Sequence, residues 1–410
     1  MNEHALAEII SDRDSIFVGT GVSEPQGIIT KFANSVDKVR GGVNLFQVMT
    51  PGPELLAGTK LLRTTVHTPV PGRLGRRAIR QGTVQLMRKS ISEICMDIDT
   101  GRLPIDGVFF TGISIGKQTV APALAVDLLE IAIRRSRYVA VEMTDGFPLC
   151  ETSLKLPLSQ CNYVMRTHRK PEPVTVRSTE NAARIGELVA GLIEDGAAVE
   201  IGIGGALGGL AKAIGESGKQ VSVHSGLISD WLPVMLESGC LRRDLSCSSA
   251  VAVGAVAAGT KEFYRWLGDT AGNVELLPSN DIHNAEHLRA LNSFTAVNSA
   301  LYFDLRGLVG DMWHDPVTSG IGGLADFAKA AGQRSIVAME STFPDGTSRI
   351  VAKVSVENTR AGAISHLVTE FGVARLSDCD SSEMADRIIS VAHPHHRDAL
   401  IEDKIRATNE

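Results

Sequence analysis

Ala197-Ala198-Val199-Glu200-Ile201-Gly202-Ile203-Gly204-Gly205 joins an apolar, strand-like run directly to a glycine-rich turn. The same turn occurs again as Gly320-Ile321-Gly322-Gly323, where it also precedes a helix-like segment. Glycine has no Cβ, so the backbone N–H groups of such a turn can approach a ligand closely. Two such turns indicate a site that holds an anionic or carbonyl-bearing ligand by its backbone. A single turn would more readily suit a tight strand-to-helix connection without a ligand.

The rest of the chain also alternates between strand-like and helix-like segments. Apolar runs typical of buried parallel strands are separated by helix-like segments such as Ala121 to Arg134. The runs are Ser15 to Val18, Val43 to Val48, Gly107 to Phe110, Tyr138 to Glu142, Ser335 to Met339, Arg349 to Val354 and His366 to Glu370. Alternating strands and helices predict an α/β fold with largely parallel sheets that carry helices on both faces.

The alternation is interrupted between Arg166 and Thr179, where the chain is charged and contains two prolines. Such a segment is typical of a domain linker. A chain of 410 residues is long enough for two or three domains of about 150 residues each. We therefore predict two similar open α/β halves, an N-terminal domain over residues 1–175 and a C-terminal domain over residues 176–410.

Composition argues against several classes of protein. The net charge is −6, whereas a nucleic-acid-binding protein is expected to carry a basic excess. No apolar run of the length of a membrane-spanning helix is present, and the first residues lack the pattern of a signal peptide. The six cysteines are scattered without a Cys-x-x-Cys pair, so the chain is predicted to be cytoplasmic and reduced. No metal is predicted, because adjacent residues such as His395 and His396 face different ways on a helix.

Several sequence blocks, mostly in the second half, share a characteristic order and spacing. They are Glu24-Pro25, Glu200 to Gly204, Val297 to Gly307, Ser319 to Phe327, Thr347 to Val351, Val368 to Ala374 and Ala392 to Arg397. Together they resemble the acetyl-CoA hydrolase/transferase family, the single-chain branch of the family I CoA-transferases, and within it the 4-hydroxybutyrate CoA-transferases. The resemblance implies a CoA-transferase-like fold with an acyl-CoA cleft between two α/β halves. It also implies a homodimer or homotetramer.

The resemblance further implies a catalytic position. Members of the family move coenzyme A between carboxylates through a glutamate that attacks the thioester and becomes a glutamyl-CoA thioester. That glutamate ends a His-Ser/Thr-Glu motif, and the matching residues here are His224, Ser225 and Gly226. Because glycine has no side chain, position 226 can form neither the anhydride nor the thioester.

Three interpretations of Gly226 stay open. In the first, the site binds an acyl-CoA, and the space left by the missing side chain admits hydrolysis, acyl transfer to a small nucleophile, or decarboxylation. A glutaconyl-type decarboxylase built on this fold dispenses with the glutamyl thioester. In the second interpretation, Glu24, Glu340 or Glu370 supplies the carboxylate and CoA transfer persists. In the third, the chain is a non-catalytic acyl-CoA-binding protein.

Backbone N–H groups are the expected donors to a thioester oxyanion. Those of Gly322 and Gly323 are the first choice, and that of Val22, after a glycine turn in the first half, is the second. The other glycines expected to contact an acyl-CoA are Gly202, Gly204, Gly205 and Gly320. These glycines could also serve only the close packing of strands and helices.

Five side chains complete the set of candidates. His224 could act as a general acid or base, although a histidine at a strand end more often only hydrogen-bonds a neighbour. Ser225 is considered as a nucleophile, but no His/Asp arrangement is visible beside it. Asp326 is expected to cap the helix after the second glycine turn. Tyr302 and Trp313 could line an acyl pocket or could equally be core aromatics.

The expected partners are an acyl-CoA, with coenzyme A as part of the substrate, and a small-molecule acceptor. Neither nucleic acid nor a membrane is expected as a partner. The sequence does not identify the acyl group or the acceptor.

Overall fold

The computed structural model describes residues 5–35, 42–49, 64–243, 248–270, 272–311, 321–360 and 362–409. The strands in these residues are β1 (Ser15–Val18), β2 (Val43–Phe46), β3 (Thr64–Thr68), β4 (Val84–Leu86), β5 (Gly107–Ile115), β6 (Thr119–Pro122), β7 (Tyr138–Thr144), β8 (Glu151–Thr152), β9 (Leu156–Pro157), β10 (Tyr163–Thr167), β11 (Ala198–Ile201), β12 (Ser222–Ile228), β13 (Ala252–Ala257), β14 (Val274–Leu276), β15 (Thr295–Asn298), β16 (Tyr302–Asp304), β17 (Val309–Asp311), β18 (Ser335–Ala338), β19 (Ile350–Val351), β20 (Val356–Glu357), β21 (His366–Thr369) and β22 (Gly372–Arg375).

Helices connect most of these strands. The α-helices in the described residues are Ala5–Ile9, Gln26–Ser35, Gly72–Arg80, Ile91–Asp99, Leu129–Arg135, Ala182–Leu192, Leu210–Glu216, Trp231–Glu237, Lys261–Asp269, Ser279–Ile282, Ala285–Ala290, Leu324–Ala331, Ser381–Ser390 and Pro394–Asn409. No helix among the described residues is long and apolar enough to cross a membrane.

The chain forms two compact units. The first comprises Met1–Val174 and Val253–Ile282, and the second comprises Thr175–Ala252 and His283–Glu410. The domain boundary at residue 175 stays a prediction from the sequence, and the two units are described one at a time.

The first unit is built on a sheet with the strand order β10-β7-β5-β1-β2-β3-β4. All neighbours along this path are parallel. Successive residues of β1 enter different buried clusters, because Ile16 and Val18 pack on one side and Phe17 on the other. Both faces of the sheet are therefore covered, which explains why its strands read as continuous apolar runs.

The main sheet of the second unit has the strand order β22-β21-β18-β15-β11-β12. Its neighbours are parallel except for the edge strand β22. The chain moves from β11 to β12 in one direction and later adds β15, β18 and β21 in the other. The order thus reverses at β11. In open parallel sheets, ligands bind beyond the carboxyl ends of the strands at such a reversal, and the first glycine turn follows β11 directly.

A smaller sheet with the order β19-β16-β17-β20 accompanies this unit. Its Phe303 and Ile350 are buried in one cluster with Val337 and Leu367 of the main sheet. The smaller sheet therefore shares a core with the main sheet. It places residues 301 and 349 beside the end of β15, where the pocket described below lies.

The predicted α/β class with largely parallel sheets is confirmed, but two predicted elements are shorter than expected. Residues 119–122 form β6, which pairs antiparallel with β5, and the helix begins only at Leu129. Asp127 has a positive φ of 45°, which ends any continuous helix before that point. The strand predicted for Arg349 to Val354 is limited to Ile350–Val351. Apolar runs of this length do not by themselves distinguish strand, helix and buried loop.

Candidate functional site

A pocket of about 310 Å³ lies in the second unit, beyond the carboxyl ends of β11 and β15. Residues 203–206 after β11 and residues 299–301 after β15 form much of its wall. The other lining residues are Thr179, Val309, Ile321, Leu324, Arg349 and Asn358. The pocket therefore occupies the position that the strand order favours for a ligand, between two segments of exposed backbone.

The first glycine turn packs too closely against its neighbour for any side chain. A Cβ built on Gly202 would lie 2.7 Å from Asn298 Oδ1, and one on Gly204 would lie 2.7 Å from the Ser299 Cβ. A Cβ on Gly205 would lie 2.5 Å from the Arg177 carbonyl oxygen. These glycines allow close backbone packing and also leave their backbone on the pocket wall. Gly204 and Gly205 therefore serve close packing and also line the pocket, whereas Gly202 does not line it. Contact of these glycines with an acyl-CoA stays a prediction.

A buried carboxyl group lies just before this turn. Glu200 on β11 is 2% exposed, and its Oε2 accepts a hydrogen bond of 2.6 Å from Asn298 Nδ2 on β15. Burial raises the pKa of Glu200 to about 8, while the hydrogen bond from Asn298 opposes that rise. Glu200 is therefore largely protonated at neutral pH and is a poor carboxylate nucleophile.

Arg349 brings a cationic group to the pocket. Its guanidinium donates to the carbonyl oxygens of Ala300 and Leu301 and lies 5.0 Å from the centre of the Phe343 ring. Burial lowers the pKa of this arginine, and Glu340 is the first of the groups that oppose the effect. Arg349 thus fixes the wall segment after β15 and adds positive charge to a pocket that is otherwise lined mainly by apolar side chains and backbone.

The second glycine turn borders the same pocket through Ile321 and Leu324. Gly322 has a φ of 52°, a left-handed conformation that favours glycine. The helix that follows begins at Leu324, and its N-cap is Gly323. The expectation that Asp326 caps this helix is wrong, because Asp326 lies within the first helical turn. Gly320 and Trp313, two predicted site residues, lie outside the described residues.

The motif His224-Ser225-Gly226 lies on β12. His224 and Ser225 are buried, with 3% and 0% of their surfaces exposed. The Ser225 hydroxyl lies 3.0 Å from the carbonyl oxygens of both Ile201 and Leu227, to which it can donate. It also accepts from the Ile201 N–H at 3.4 Å. These contacts give Ser225 a structural role between β11 and β12 and make it a poor candidate nucleophile.

Gly226 lies against two side chains that come from distant parts of the chain. A Cβ built on Gly226 would lie 3.2 Å from Phe327 Cε2 and 3.6 Å from His283 Nε2. A Cβ on Gly323 would lie 2.6 Å from His283 Cε1 and 3.0 Å from Phe327 Cε2. The structure thus brings together Gly226 and Gly323, two predicted site residues, with the His283–Phe327 pair beside both. A side chain at Gly323 requires His283 to shift, whereas one at Gly226 requires only that Phe327 move by a few tenths of an ångström.

His283 is a residue that the sequence analysis missed. Its ring centre lies 4.5 Å from that of Phe327, and its Nδ1 lies 3.4 Å from Asp326 Oδ2. His283 stands just after a short helix that ends at Ile282, in a segment without a recognisable motif. No local signal could have identified it, because only the fold brings it to Gly226.

Val22, the other predicted oxyanion donor, belongs to the first unit. It follows Gly21, which has a φ of 55°, in a short 3-10 helix after β1. The Val22 carbonyl oxygen accepts a long hydrogen bond of 3.4 Å from Arg169 Nη1, and the Glu24 carbonyl oxygen accepts one of 2.6 Å from Nη2. Arg169 therefore holds the turn that carries Val22.

The carboxylates considered as replacements for a glutamate at position 226 are already engaged. Gln47 donates to the Glu24 carboxylate at 3.1 Å, and Asn181 donates to the Glu340 carboxylate at 3.1 Å. The Glu370 carboxylate accepts from both the N–H and the hydroxyl of Ser341, at 3.0 and 2.6 Å. The three carboxylates thus accept hydrogen bonds that hold the side chains of Gln47 and Asn181 and both the backbone and the side chain of Ser341.

Tyr302 begins β16, and its ring packs edge-on against Phe343 at 5.2 Å between ring centres. It is not among the residues that line the pocket, although its neighbour Leu301 is. Its assignment to an acyl pocket stays a prediction.

Comparisons with known proteins agree with the sequence blocks. Residues 259–404 match the acetyl-CoA hydrolase/transferase C-terminal domain. A 4-hydroxybutyrate coenzyme A transferase from Clostridium kluyveri is 24% identical, and the match covers 98% of this chain and 96% of that protein. Matches to other curated CoA-transferases span between 47% and 84% of the length of those proteins.

Two solved structures share the fold. RipA from Yersinia pestis matches with a TM-score of 0.88 at 21% identity, covering 99% of this chain and 96% of that one. A 4-hydroxybutyrate CoA-transferase from Porphyromonas gingivalis matches with a TM-score of 0.77 at 20% identity, with coverages of 99% and 96%. Residues 259–404 therefore match the acetyl-CoA hydrolase/transferase C-terminal domain, and the solved structures show that the chain shares the fold of these proteins.

Proposed function

We propose that this chain is an enzyme that processes acyl-CoA thioesters without forming a glutamyl-CoA intermediate. The observation that carries the proposal is the environment of Gly226, the position at which the resemblance places the nucleophilic glutamate. A Cβ there would already lie 3.2 Å from the Phe327 ring, closer than ordinary van der Waals contact. The position without a carboxylate is therefore bordered closely by Phe327, and His283 Nε2 lies at ordinary contact distance from it.

The pocket supports binding of a thioester in the second unit. Its volume of about 310 Å³ is at the lower end of the range for small-molecule pockets, so it suits one arm of an acyl-CoA. Glycine backbone on one wall can contact a carbonyl group or amide of that arm. Arg349, which donates to the carbonyl oxygens of Ala300 and Leu301, adds a positive charge suited to an anionic group. The remaining lining is mostly apolar, as for other small-molecule sites.

The second glycine turn links the pocket to Gly226. Ile321 and Leu324 face the pocket, while Gly323 between them contacts His283 beside Gly226. A thioester that enters along this turn would place its carbonyl near the N–H groups of Gly322 and Gly323. Preorganised N–H donors of this kind stabilise the negative charge that develops on the oxygen of an attacked carbonyl.

Three reactions are compatible with a site that lacks the glutamate. Water could hydrolyse the thioester, a small amine or alcohol could take the acyl group, or a substrate with a suitable carboxylate could lose carbon dioxide. In each case coenzyme A is part of the substrate, and no enzyme-bound thioester forms. From the resemblance we still expect the chain to form a homodimer or homotetramer. We also still expect a small molecule to act as the acceptor.

True CoA transfer through another carboxylate is the less favoured alternative. Glu24, Glu340 and Glu370 already hold hydrogen-bond partners, and Glu200 is held largely protonated by burial. A nucleophilic carboxylate must be ionised and aimed at the thioester carbon. Glu200 fails the first condition, and the hydrogen-bond partners of the other three carboxylates hold them in their present orientations.

The first experiment is a turnover assay with an acyl-CoA panel. Acetyl-, butyryl-, 4-hydroxybutyryl-, succinyl- and glutaconyl-CoA are each incubated with the protein, and free thiol, carbon dioxide and new acyl products are followed. We expect saturable turnover of at least one thioester in the absence of any carboxylate acceptor. Transfer of CoA to an added carboxylate with ping-pong kinetics would contradict the proposal. Saturable binding without turnover of any panel member would favour a non-catalytic binding protein.

A further inference from the structure

His283 is placed as a catalytic base would have to be. Its side chain is 5% exposed and lies between the two glycines that the sequence assigned to the site. Nε2 lies 3.6 Å from the point where a Gly226 side chain would begin, and Cε1 lies 2.6 Å from the corresponding point at Gly323. Because both neighbours are glycines, the imidazole edge faces the space that a larger residue at position 226 would fill.

Asp326 lies on the opposite side of the imidazole ring. Its Oδ2 is 3.4 Å from His283 Nδ1, and Nδ1 makes no hydrogen bond to any described residue. A carboxylate beside Nδ1 favours the tautomer with the proton on Nδ1, which leaves the lone pair on Nε2. Nε2, the nitrogen nearer to Gly226, has no hydrogen-bond partner in the described part of the chain.

Phe327 completes this arrangement. Its ring packs against His283 at 4.5 Å between ring centres and against Phe294 at 6.3 Å. This contact restricts rotation of the imidazole ring. It also narrows the space beside Gly226, because Phe327 Cε2 is the heavy atom nearest to a Cβ built there. The space beside Gly226 is therefore bordered by Phe327 and by the Nε2 edge of His283.

We infer that His283 is a general base, positioned by Asp326, that activates water for attack on an acyl-CoA thioester. The inference rests on the proposed function and narrows it to hydrolysis. His283 Nε2 takes a proton from water while the water oxygen bonds to the thioester carbon. Collapse of the tetrahedral intermediate breaks the carbon–sulfur bond, and the proton on Nε2 passes to the departing thiolate. The products are a carboxylic acid and coenzyme A, and no other reactant is needed.

A histidine base serves hydrolysis or acyl transfer to an alcohol or amine, but not decarboxylation. Hydrolysis is the inferred reaction because it needs no acceptor besides water. Decarboxylation of an activated acyl-CoA requires no base to deprotonate a nucleophile. Transfer to another carboxylate requires none either, because carboxylates are already ionised at neutral pH. Water, in contrast, is a weak nucleophile until a positioned base removes its proton.

The inference is tested by substituting both members of the pair. His283→Gln retains a polar side chain of similar size but cannot accept the proton, and release of coenzyme A is expected to fall by about 10²- to 10⁴-fold. Asp326→Asn is expected to lower kcat with little change in KM, because it disturbs the tautomer rather than the binding of the thioester. His287→Gln, which removes an exposed histidine from the next helix, is the matched control and should leave turnover unchanged.

Two further measurements distinguish a chemical role from a structural one. His283→Ala leaves space for an external base, so added imidazole is expected to restore part of its activity, which no folding defect would allow. With wild-type protein in water enriched in heavy oxygen, the label is expected in the released carboxylic acid.

The outcomes separate this inference from the proposed function. If the His283 variants bind an acyl-CoA and release coenzyme A at the wild-type rate, the inference is wrong and the proposed function survives. The same holds if wild-type protein consumes an acyl-CoA but the label does not enter the acid. If the wild-type protein binds no acyl-CoA, or acquires a covalent CoA group, the proposed function itself fails.

Discussion

Replacing Glu200 by glutamine is expected to remove a large pH-dependent loss of stability. Burial raises the pKa of Glu200 from an ordinary value of 4.5 to about 8. The folded protein therefore keeps a proton that the unfolded chain releases above the ordinary pKa. The contribution of the protonated Glu200 to the free energy of unfolding is complete below pH 4.5. It declines as the pH rises and is lost above pH 8. The decline amounts to at most about 5 kcal/mol, since each pKa unit corresponds to about 1.4 kcal/mol.

The glutamine variant avoids this decline because an amide does not titrate. It can still accept the hydrogen bond that Asn298 donates to Glu200 Oε2. Denaturant unfolding at about pH 5 and about pH 8.5 should show a loss of several kcal/mol in the wild-type protein that is absent from the variant. Glu187→Gln, at an exposed site on the Ala182–Leu192 helix, is the control and should follow the wild-type curve. If the free energy of unfolding changed with pH in the same way in the wild-type protein and in Glu200→Gln, the raised pKa of Glu200 would be contradicted.

Replacing Arg169 by methionine is expected to destabilise the first unit strongly. The Glu142 carboxylate is 0% exposed and accepts hydrogen bonds from Arg169 Nε at 3.3 Å and from the Gly27 N–H at 2.7 Å. Removing the guanidinium leaves the Glu142 carboxylate buried without its cationic partner, although the hydrogen bond from the Gly27 N–H remains. Breaking a buried ion pair in this way costs about 3–5 kcal/mol. The turn that carries Val22 loses two hydrogen bonds in the same variant.

Two comparisons make this second prediction specific. Arg166→Met, an exposed neighbour on β10, should change the free energy of unfolding by less than about 0.5 kcal/mol. Adding Glu142→Gln to Arg169→Met should recover part of the lost stability, because the unpaired charge is then gone. Equal stability of Arg169→Met and Arg166→Met in urea unfolding would show that the buried pair contributes nothing.

The buried strands were the most predictable part of the fold. Ser15 to Val18 matches β1, and Tyr138 to Glu142 lies within β7, because strands covered on both faces are apolar at every position. The same signal failed at residues 121–128, where a buried strand end and loop are as apolar as a helix. The grouping of Val253–Ile282 with the first unit has no local signal, since it depends on contacts distant in sequence.

The candidate site was predictable only in its backbone. The glycine turns and the His224-Ser225-Gly226 motif are visible in the sequence because they consist of short, contiguous patterns. The His283–Phe327 pair beside Gly226 is not, because each residue comes from a different segment and neither has a distinctive neighbourhood. The interpretation of Gly226 as the source of an open space was incomplete for the same reason: Phe327 and His283 border that space.

The central claim is that an acyl-CoA binds to this chain and that no residue of the chain becomes covalently attached to coenzyme A. Intact-protein mass spectrometry, after incubation with an acyl-CoA shown by calorimetry to bind, tests it most directly. We expect saturable binding with an unchanged protein mass, both with and without a carboxylate acceptor. A mass increase equal to coenzyme A, removed by borohydride, would contradict the claim, and so would the absence of binding by every acyl-CoA in the panel.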